Sequence, residues 1–404
     1  MYHVDLIRKD FPALADKPGG KENVYLDTAA SAQKPQVVID KICQIYTHSY
    51  ANVHRGTYAL AEAITQEYEN ARQIISSFIN ARRLSEIVFT RNATESINLV
   101  AASWAQNHLK EGDEILVSEA EHHANLVPWQ VVCQKTGAKL KIFKIADDGS
   151  YLEEEFEKAL TPNVKLVAVT GMSNVLGTVF PVKEITQKAH KFGALVLIDA
   201  CQSLVHQKTN VQDLDCDFLC FSGHKLYGPT GIGVLYARAE ILEEMPPYQT
   251  GGDMVDTVTY EKTTYAEPPA RFEAGTPAAV QAIGLGEAVQ YVSKIGFDNI
   301  YAHEQDLISY FYQKASEIQN FKIIGTAQNK GGVFAFDFKG IHPQDLSFVL
   351  AHEGIAIRIG HHCAEPLVHR MGYQSLCRAS FGLYTSKQDI DAFFDGLYKA
   401  QRFF

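Results

Sequence analysis

The stretch Leu195 to Gly233, LVLIDACQSLVHQKTNVQDLDCDFLCFSGHKLYGPTGIG, limits the possible folds of this chain more than any other. Its opening run, Leu195 to Ile198, has the length and apolar composition of a strand buried on both faces. The run ends in Asp199, with Gln202 three places on. A second apolar strand, Asp217 to Phe221, delivers Ser222, His224 and Lys225 into a turn punctuated by Gly223, Gly228, Gly231 and Gly233. Consecutive buried strands of this kind predict an open α/β sheet, in which ligands sit beyond the carboxyl ends of the strands. A carboxylate, Asp199, and an amine, Lys225, stand at two such ends and can converge on one cofactor. Taken singly, each has a plainer reading: a surface lysine after a buried strand, and an aspartate capping the next helix.

A cofactor that needs both groups is pyridoxal phosphate. Its aldehyde is stored as a Schiff base on a lysine, and a carboxylate keeps its ring nitrogen protonated. The segment SGHKLYGPTGIG resembles the lysine signature of fold-type I pyridoxal phosphate enzymes, specifically the class V aminotransferases. The resemblance implies Lys225 as the Schiff-base lysine, Asp199 as partner of the pyridinium, and Gln202 as a hydrogen bond to the ring hydroxyl. Cys201 stands where that family usually carries a small residue.

At 404 residues the chain exceeds one compact core, which predicts two domains. A net charge of −10 argues against a nucleic-acid surface, and no run approaches the apolar length of a membrane span. The first residues, MYHVDLIRKDFPAL, hold no apolar signal core, so a cytoplasmic protein is expected. The cysteines, Cys43, Cys133, Cys201, Cys216, Cys220, Cys363 and Cys377, are odd in number and scattered, which suits reduced thiols better than a disulfide framework.

In chain order, VYLDTAASAQKP reads as a strand, Val24 to Leu26, turning into a helix. Val53 to Asn80 is helical in pattern and contains NVHRG, a run typical of the SufS-type group; the resemblance gives His54 a substrate-side role. Glu86 to Thr90 reads as a strand and Thr94 as a helix start. The N–H groups of the turn before it, around Ala93 and Thr94, suit a phosphate, and the same residues suit a plain N-cap at Thr94. Phosphate binding is preferred because the cofactor demands such a site, with Ser222 and His224 as further donors in the family. Strands follow at Glu114 to Val117, Leu140 to Lys144 and Val164 to Thr170.

EAEHHANLVPW carries two adjacent histidines, which cannot share a helix face and so lack the usual metal spacing. The resemblance assigns His122 to stacking on the pyridine ring and to proton transfer, for which an imidazole titrating near neutrality is suited. Asn174 falls at the same sheet edge. By itself it is a turn residue, and the resemblance gives it the substrate carboxylate or the ring hydroxyl. Val258 to Tyr265 reads as a hairpin. FEAGTP is a further family signature whose threonine, Thr276, reaches the phosphate of the neighbouring subunit, which implies a homodimer. The expected division is an arm (1–20) associated with the small domain, a large cofactor-binding domain (21–283) of mainly parallel sheet, and a smaller α+β domain (284–404).

The smaller domain holds a second constellation, AIRIGHHCAEPLVHRMGYQSLCRASFGLY. Cys363 follows Arg358, His361 and His362 in a loop, where nearby positive charge lowers a thiol pKa. A metal corner or a surface loop would account for HHC as well, although the spacing is wrong for a common zinc site and no metal is expected. Arg378 suits bidentate capture of a carboxylate, or a surface ion pair.

R-x-G-H-H-C-A followed by C-R-A-S-F resembles the SufS-type, or group II, cysteine desulfurases, and with the other motifs the likeness runs from about Asp10 to the C-terminus. It implies that Cys363 becomes a persulfide while L-cysteine becomes L-alanine, with Arg378, Asn174 and Arg358 on the substrate side. It further implies a sulfur acceptor of the SufE or SufU kind and delivery towards iron–sulfur clusters. The rivals are a selenocysteine lyase or another class V pyridoxal phosphate enzyme, a thiol or zinc-binding module, and a noncatalytic sulfur carrier.

Overall fold

A computed structural model describes residues 2–404. Its first strand, β1 (Val24–Tyr25), does not join the large sheet but pairs in parallel with Ile355–Ala356, far along the chain. The large sheet follows from seven strands: β2 (Ile87–Thr90), β3 (Glu114–Ser118), β4 (Lys139–Phe143), β5 (Val164–Thr170), β6 (Leu195–Asp199), β7 (Phe218–Ser222) and β8 (Gly233–Ala237). Their order is β2-β8-β7-β6-β5-β3-β4, with every pairing parallel except those made by β8. Strands β5 to β8 are apolar and almost wholly buried, as a sheet covered by helices on both faces requires.

The register aligns the site before any side chain is considered. Thr170 lies beside Asp199 and Asp199 beside Cys220, while Ser222 lies beside Gly233 and Gly233 beside Thr90. Five strand ends therefore meet at one edge, where ligands of parallel sheets collect. The hairpin expected near Val258 to Tyr265 forms between β9 (Val255–Val258) and β10 (Thr263–Tyr265). The helix expected over Val53 to Asn80 spans Ala59–Phe78. It starts late because His54 sits at φ +71, a value that helical backbone excludes.

The helix Ala279–Ile295 packs on Ala59–Phe78, and Gly286 makes the approach possible: a Cβ there would stand 3.2 Å from that of Ala71. The chain then passes through Gly296 into Phe297–Glu317 and a second, antiparallel sheet. That sheet orders β11 (Phe321–Ile324), β12 (Val333–Phe338), β15 (Leu376–Ser380) and β14 (Arg358–Gly360), while β13 is the short Ile355–Ala356 strand paired with β1. Its covered face is aromatic, with Phe311 stacked on Phe334 at 4.1 Å and Phe381, Phe393 and Phe394 around them. The first residues pack here: Arg8 donates to the Tyr384 carbonyl and the Asp389 carboxylate. No helix among the described residues is long and apolar enough to cross a membrane.

Candidate active site

The carboxyl edge of the large sheet and the exposed corner of the small sheet enclose a cleft of about 290 Å³. Twelve of the expected residues line it: Ala93, Thr94, His122, Asn174, Asp199, Gln202, Ser222, His224, Lys225, Arg358, Cys363 and Arg378. His54 and Thr276 lie outside it. The His54 imidazole pairs with Glu69, and Thr276 lines a separate depression with Thr90, Arg91 and Tyr248.

Asp199 is 5% exposed and its Oδ1 accepts the Cys201 N–H at 3.0 Å, which fixes the carboxylate at the strand end. The Cys201 thiol is buried beside it and pushed up to about 12, so it is inert. Gln202 is also buried, its amide donating to the Ala29 carbonyl at 2.8 Å. The turn bearing Lys225 is pinned by Lys34, whose ammonium donates to the His224 carbonyl at 2.9 Å. Burial and the charges of Lys225 and Lys34 lower His224 to about 4, so its ring is neutral at physiological pH.

The helix that begins at Ala93 is capped by Asn92, whose Oδ1 accepts the Glu95 N–H, and not by Thr94. Ser222 Oγ accepts the Ala93 N–H at 2.9 Å, while the Thr94 N–H has no protein partner among the described residues. Gly233 makes this junction possible, since a Cβ there would stand 2.5 Å from the Asn92 Cα. Thr94 and Ser222 thus surround a positive helix end that suits a dianion.

His122 faces the cleft with Nδ1 accepting the Ala124 N–H at 3.0 Å, which leaves Nε2 to carry the proton. Burial first, then Lys225, holds it well below its ordinary value. The expectation of an imidazole titrating near neutrality therefore fails in the free chain, because the strand ends exclude water around it. Beneath it Glu121, unforeseen from the sequence, is fully buried and accepts from Ser118, Asn125 and the Thr170 N–H. Burial raises its carboxyl to about 8.

The small sheet sets Arg358 directly opposite Arg378 across β14 and β15, an unfavourable pairing of like charges. Asp27 resolves it, accepting from Arg358 Nε at 3.1 Å and from Arg378 Nη2 at 3.2 Å. The motif VYLDTAA gave no sign of this role, which arises only because β1 docks on the small sheet. Arg378 is not the surface ion pair of the plainer reading. It is 2% exposed, Nη1 donates to the Asn174 carbonyl at 3.0 Å, and Nε is left without a partner. The Arg378 guanidinium still lines the cleft, and a buried cation there is a place for an anionic ligand.

Cys363 is exposed at the mouth of the cleft and also lines an adjoining depression with His123, Val127, Val131 and Tyr248. It and His362 occupy left-handed backbone, at φ +55 and +53, which costs a non-glycine residue about 1–2 kcal/mol. Two contacts hold the loop in place: Asn174 Nδ2 donates to the His362 carbonyl and the His123 N–H to the Cys363 carbonyl, each at 2.7 Å. His362 lines the cleft, buried with both ring nitrogens unpartnered; burial lowers it to about 3, so it is neutral and adds none of the positive charge the sequence suggested beside Cys363.

Residues 24–393 match the family described as aminotransferase class-V. The chain belongs to the class V aminotransferase family. Among its relatives this class V chain is 46% identical over 393 residues to a probable cysteine desulfurase of Mycobacterium leprae, covering 97% of this chain and 64% of the relative. It is 45% identical over 403 residues to a cysteine desulfurase of Escherichia coli K12, covering 100% of this chain and 99% of that one. The crystal structure of the cysteine desulfurase CsdA from Escherichia coli superposes with a TM-score of 0.93 at 39% identity, covering 100% of this chain and 99% of that one. The chain spans less than two thirds of the mycobacterial and Synechococcus elongatus relatives, between 57% and 64% of their length.

The donor set of this class V chain fits pyridoxal phosphate. An amine and a buried carboxylate stand on adjacent strand ends, an aromatic imidazole faces the same space, and a helix terminus with a free N–H lies at its edge.

Proposed function

We propose that the protein is a cysteine desulfurase that converts L-cysteine to L-alanine and carries the sulfur away on Cys363. The observation that carries this reading is that one cleft is lined by Lys225, Asp199, Arg378 and Cys363 together. Lys225 would hold pyridoxal phosphate, Asp199 its ring nitrogen and Thr94 with Ser222 its phosphate. The bound group supplies an electron sink for a carbanion at the substrate α-carbon.

The chain's own residues do the rest. The Arg378 guanidinium and Asn174 orient the substrate carboxylate, and Arg358 stands beside them at the cleft mouth. In this reading the Lys225 amine moves the α-proton, and neutral His122, with its proton on Nε2, offers a hydrogen bond to the reacting groups. The Cys363 thiolate attacks the substrate sulfur. A sulfur–sulfur bond forms on Cys363, the substrate carbon–sulfur bond breaks, and the β-carbon takes a proton, so the products are a persulfide and alanine. Because Cys363 lines both the cleft and the outer depression, its loop can present that persulfide to a small acceptor protein of the SufE or SufU kind. Iron–sulfur assembly is the destination we favour, from the SufS-type motifs.

We further read the active unit as a homodimer in which Thr276 completes the neighbouring phosphate site, and the compartment as the cytoplasm. The chain divides, in this reading, into an arm (1–20), a large domain (21–283) and a small domain (284–404). Incubating the protein with L-cysteine and a reductant should yield alanine and sulfide in equal amounts. Pyruvate in place of alanine would overturn the assignment.

A further inference from the structure

The Cys363 loop is flanked by three side chains that no step above uses. His361 precedes it, Glu365 opens the helix Glu365–Arg370 and His369 lies one turn on. Their ligand atoms all fall within 4.8 Å of one another, and the His361 and His369 rings meet edge to face at 5.3 Å. The spacing explains the convergence: residues four apart lie on one helix face, and the turn closed by the Ala364 N–H on the His361 carbonyl brings the third ligand over it. Among the described residues none of the three side chains has a hydrogen-bond or ion-pair partner. The neighbouring Arg370 is instead committed to Glu119 and Asp147.

We propose that His361, Glu365 and His369 form a binding site for a zinc-class divalent cation, and that the bound ion restrains the Cys363 loop. Two imidazoles and a carboxylate with a fourth position open to water are a donor set zinc accepts. The sequence argued against metal from the spacing of HHC; the arrangement found needs only one helix and the turn before it. The ion would tie residue 361 to residues 365 and 369, on either side of Cys363. The loop already holds two non-glycine residues in left-handed backbone, so any opening that relaxes them would have to break the metal bonds first. Thiol chemistry at Cys363 should then slow when the metal is bound. The site does not depend on the proposed catalytic function.

The test uses the full chain loaded with its cofactor. Zinc binding is measured by calorimetry, cobalt by its visible absorption, in the wild type and in H369A, E365Q and Cys363→Ser. Alkylation of Cys363 is followed by peptide mass spectrometry, with exposed Cys43 as internal reference. We expect one ion per chain, retained in Cys363→Ser and weakened by at least ~10-fold in H369A and E365Q. Zinc should slow alkylation at Cys363 but not at Cys43, and H369A should abolish that protection. Binding that is absent, or undiminished in both H369A and E365Q, would overturn the site. Binding without protection of Cys363 would overturn the restraint.

Discussion

At the scale of single residues, the cleft is built from groups whose ordinary chemistry burial has changed. Arg378 spends one N–H on Asp27 and one on the Asn174 carbonyl while its guanidinium still lines the cleft. Arg378→Lys keeps the charge but loses the planar fork, and kcat/KM for L-cysteine should fall by about 10²-fold, mostly through KM. Glu121 behaves in the opposite sense to a surface carboxylate. Its folded value, raised to about 8 from an ordinary 4.5, means that its contribution to stability is complete below about pH 4.5 and is lost as the pH rises through 8. Two imidazoles slope the other way: half-buried His224, lowered to about 4, and buried His362, lowered to about 3, favour folding above their ordinary 6.5 and lose that contribution as the medium is acidified. Glu121→Gln should therefore leave the acid limb in place and flatten the decline between about pH 4.5 and 8, as read by urea midpoints across that range.

At the scale of elements, the junction of β1, β14 and β15 sets the two arginines of the cleft. Removing Asp27 leaves two guanidiniums facing each other, one of them buried. Asp27→Ala should cost about 3 kcal/mol in denaturant unfolding and weaken substrate binding, although Asp27 is not in contact with the substrate. A midpoint unchanged from wild type would show the bridge to be dispensable. This junction also marks where the sequence stops being readable. The strands ending at Asp199 and Ser222 were legible because fully buried parallel strands leave uninterrupted apolar runs, and the cleft-lining residues sit at their ends. The Asp27 bridge was not, since it joins residues more than 300 positions apart, and no local pattern records a pairing made by the docking of two sheets. Glu121 was missed for a related reason: a glutamate before two histidines looks like surface until the loop closes over it. The late start of the helix at Ala59 turns on one backbone angle at His54.

At the scale of the whole molecule, the groups lining the cleft come from two bodies. Lys225, Asp199 and His122 belong to the seven-stranded sheet, while Arg358, Cys363 and Arg378 belong to the four-stranded one. A ligand bound between them should stabilise the whole fold. Pyridoxal phosphate at about 100 times its Kd should add about 2.7 kcal/mol to unfolding, and Lys225→Ala should remove most of that gain. Borohydride reduction of the loaded protein should leave a pyridoxyl adduct on Lys225 alone. The central claim, however, is that a thiol from the small body attacks sulfur held by the large one. It is tested most directly by exposing the loaded protein to L-cysteine without reductant and mapping added sulfur by peptide mass spectrometry. The account predicts one extra sulfur on Cys363, none on Cys43, which is also exposed, and none anywhere in Cys363→Ser. Alanine formed at the wild-type rate by Cys363→Ser, with no sulfur found on Cys363 in the wild type, would contradict it.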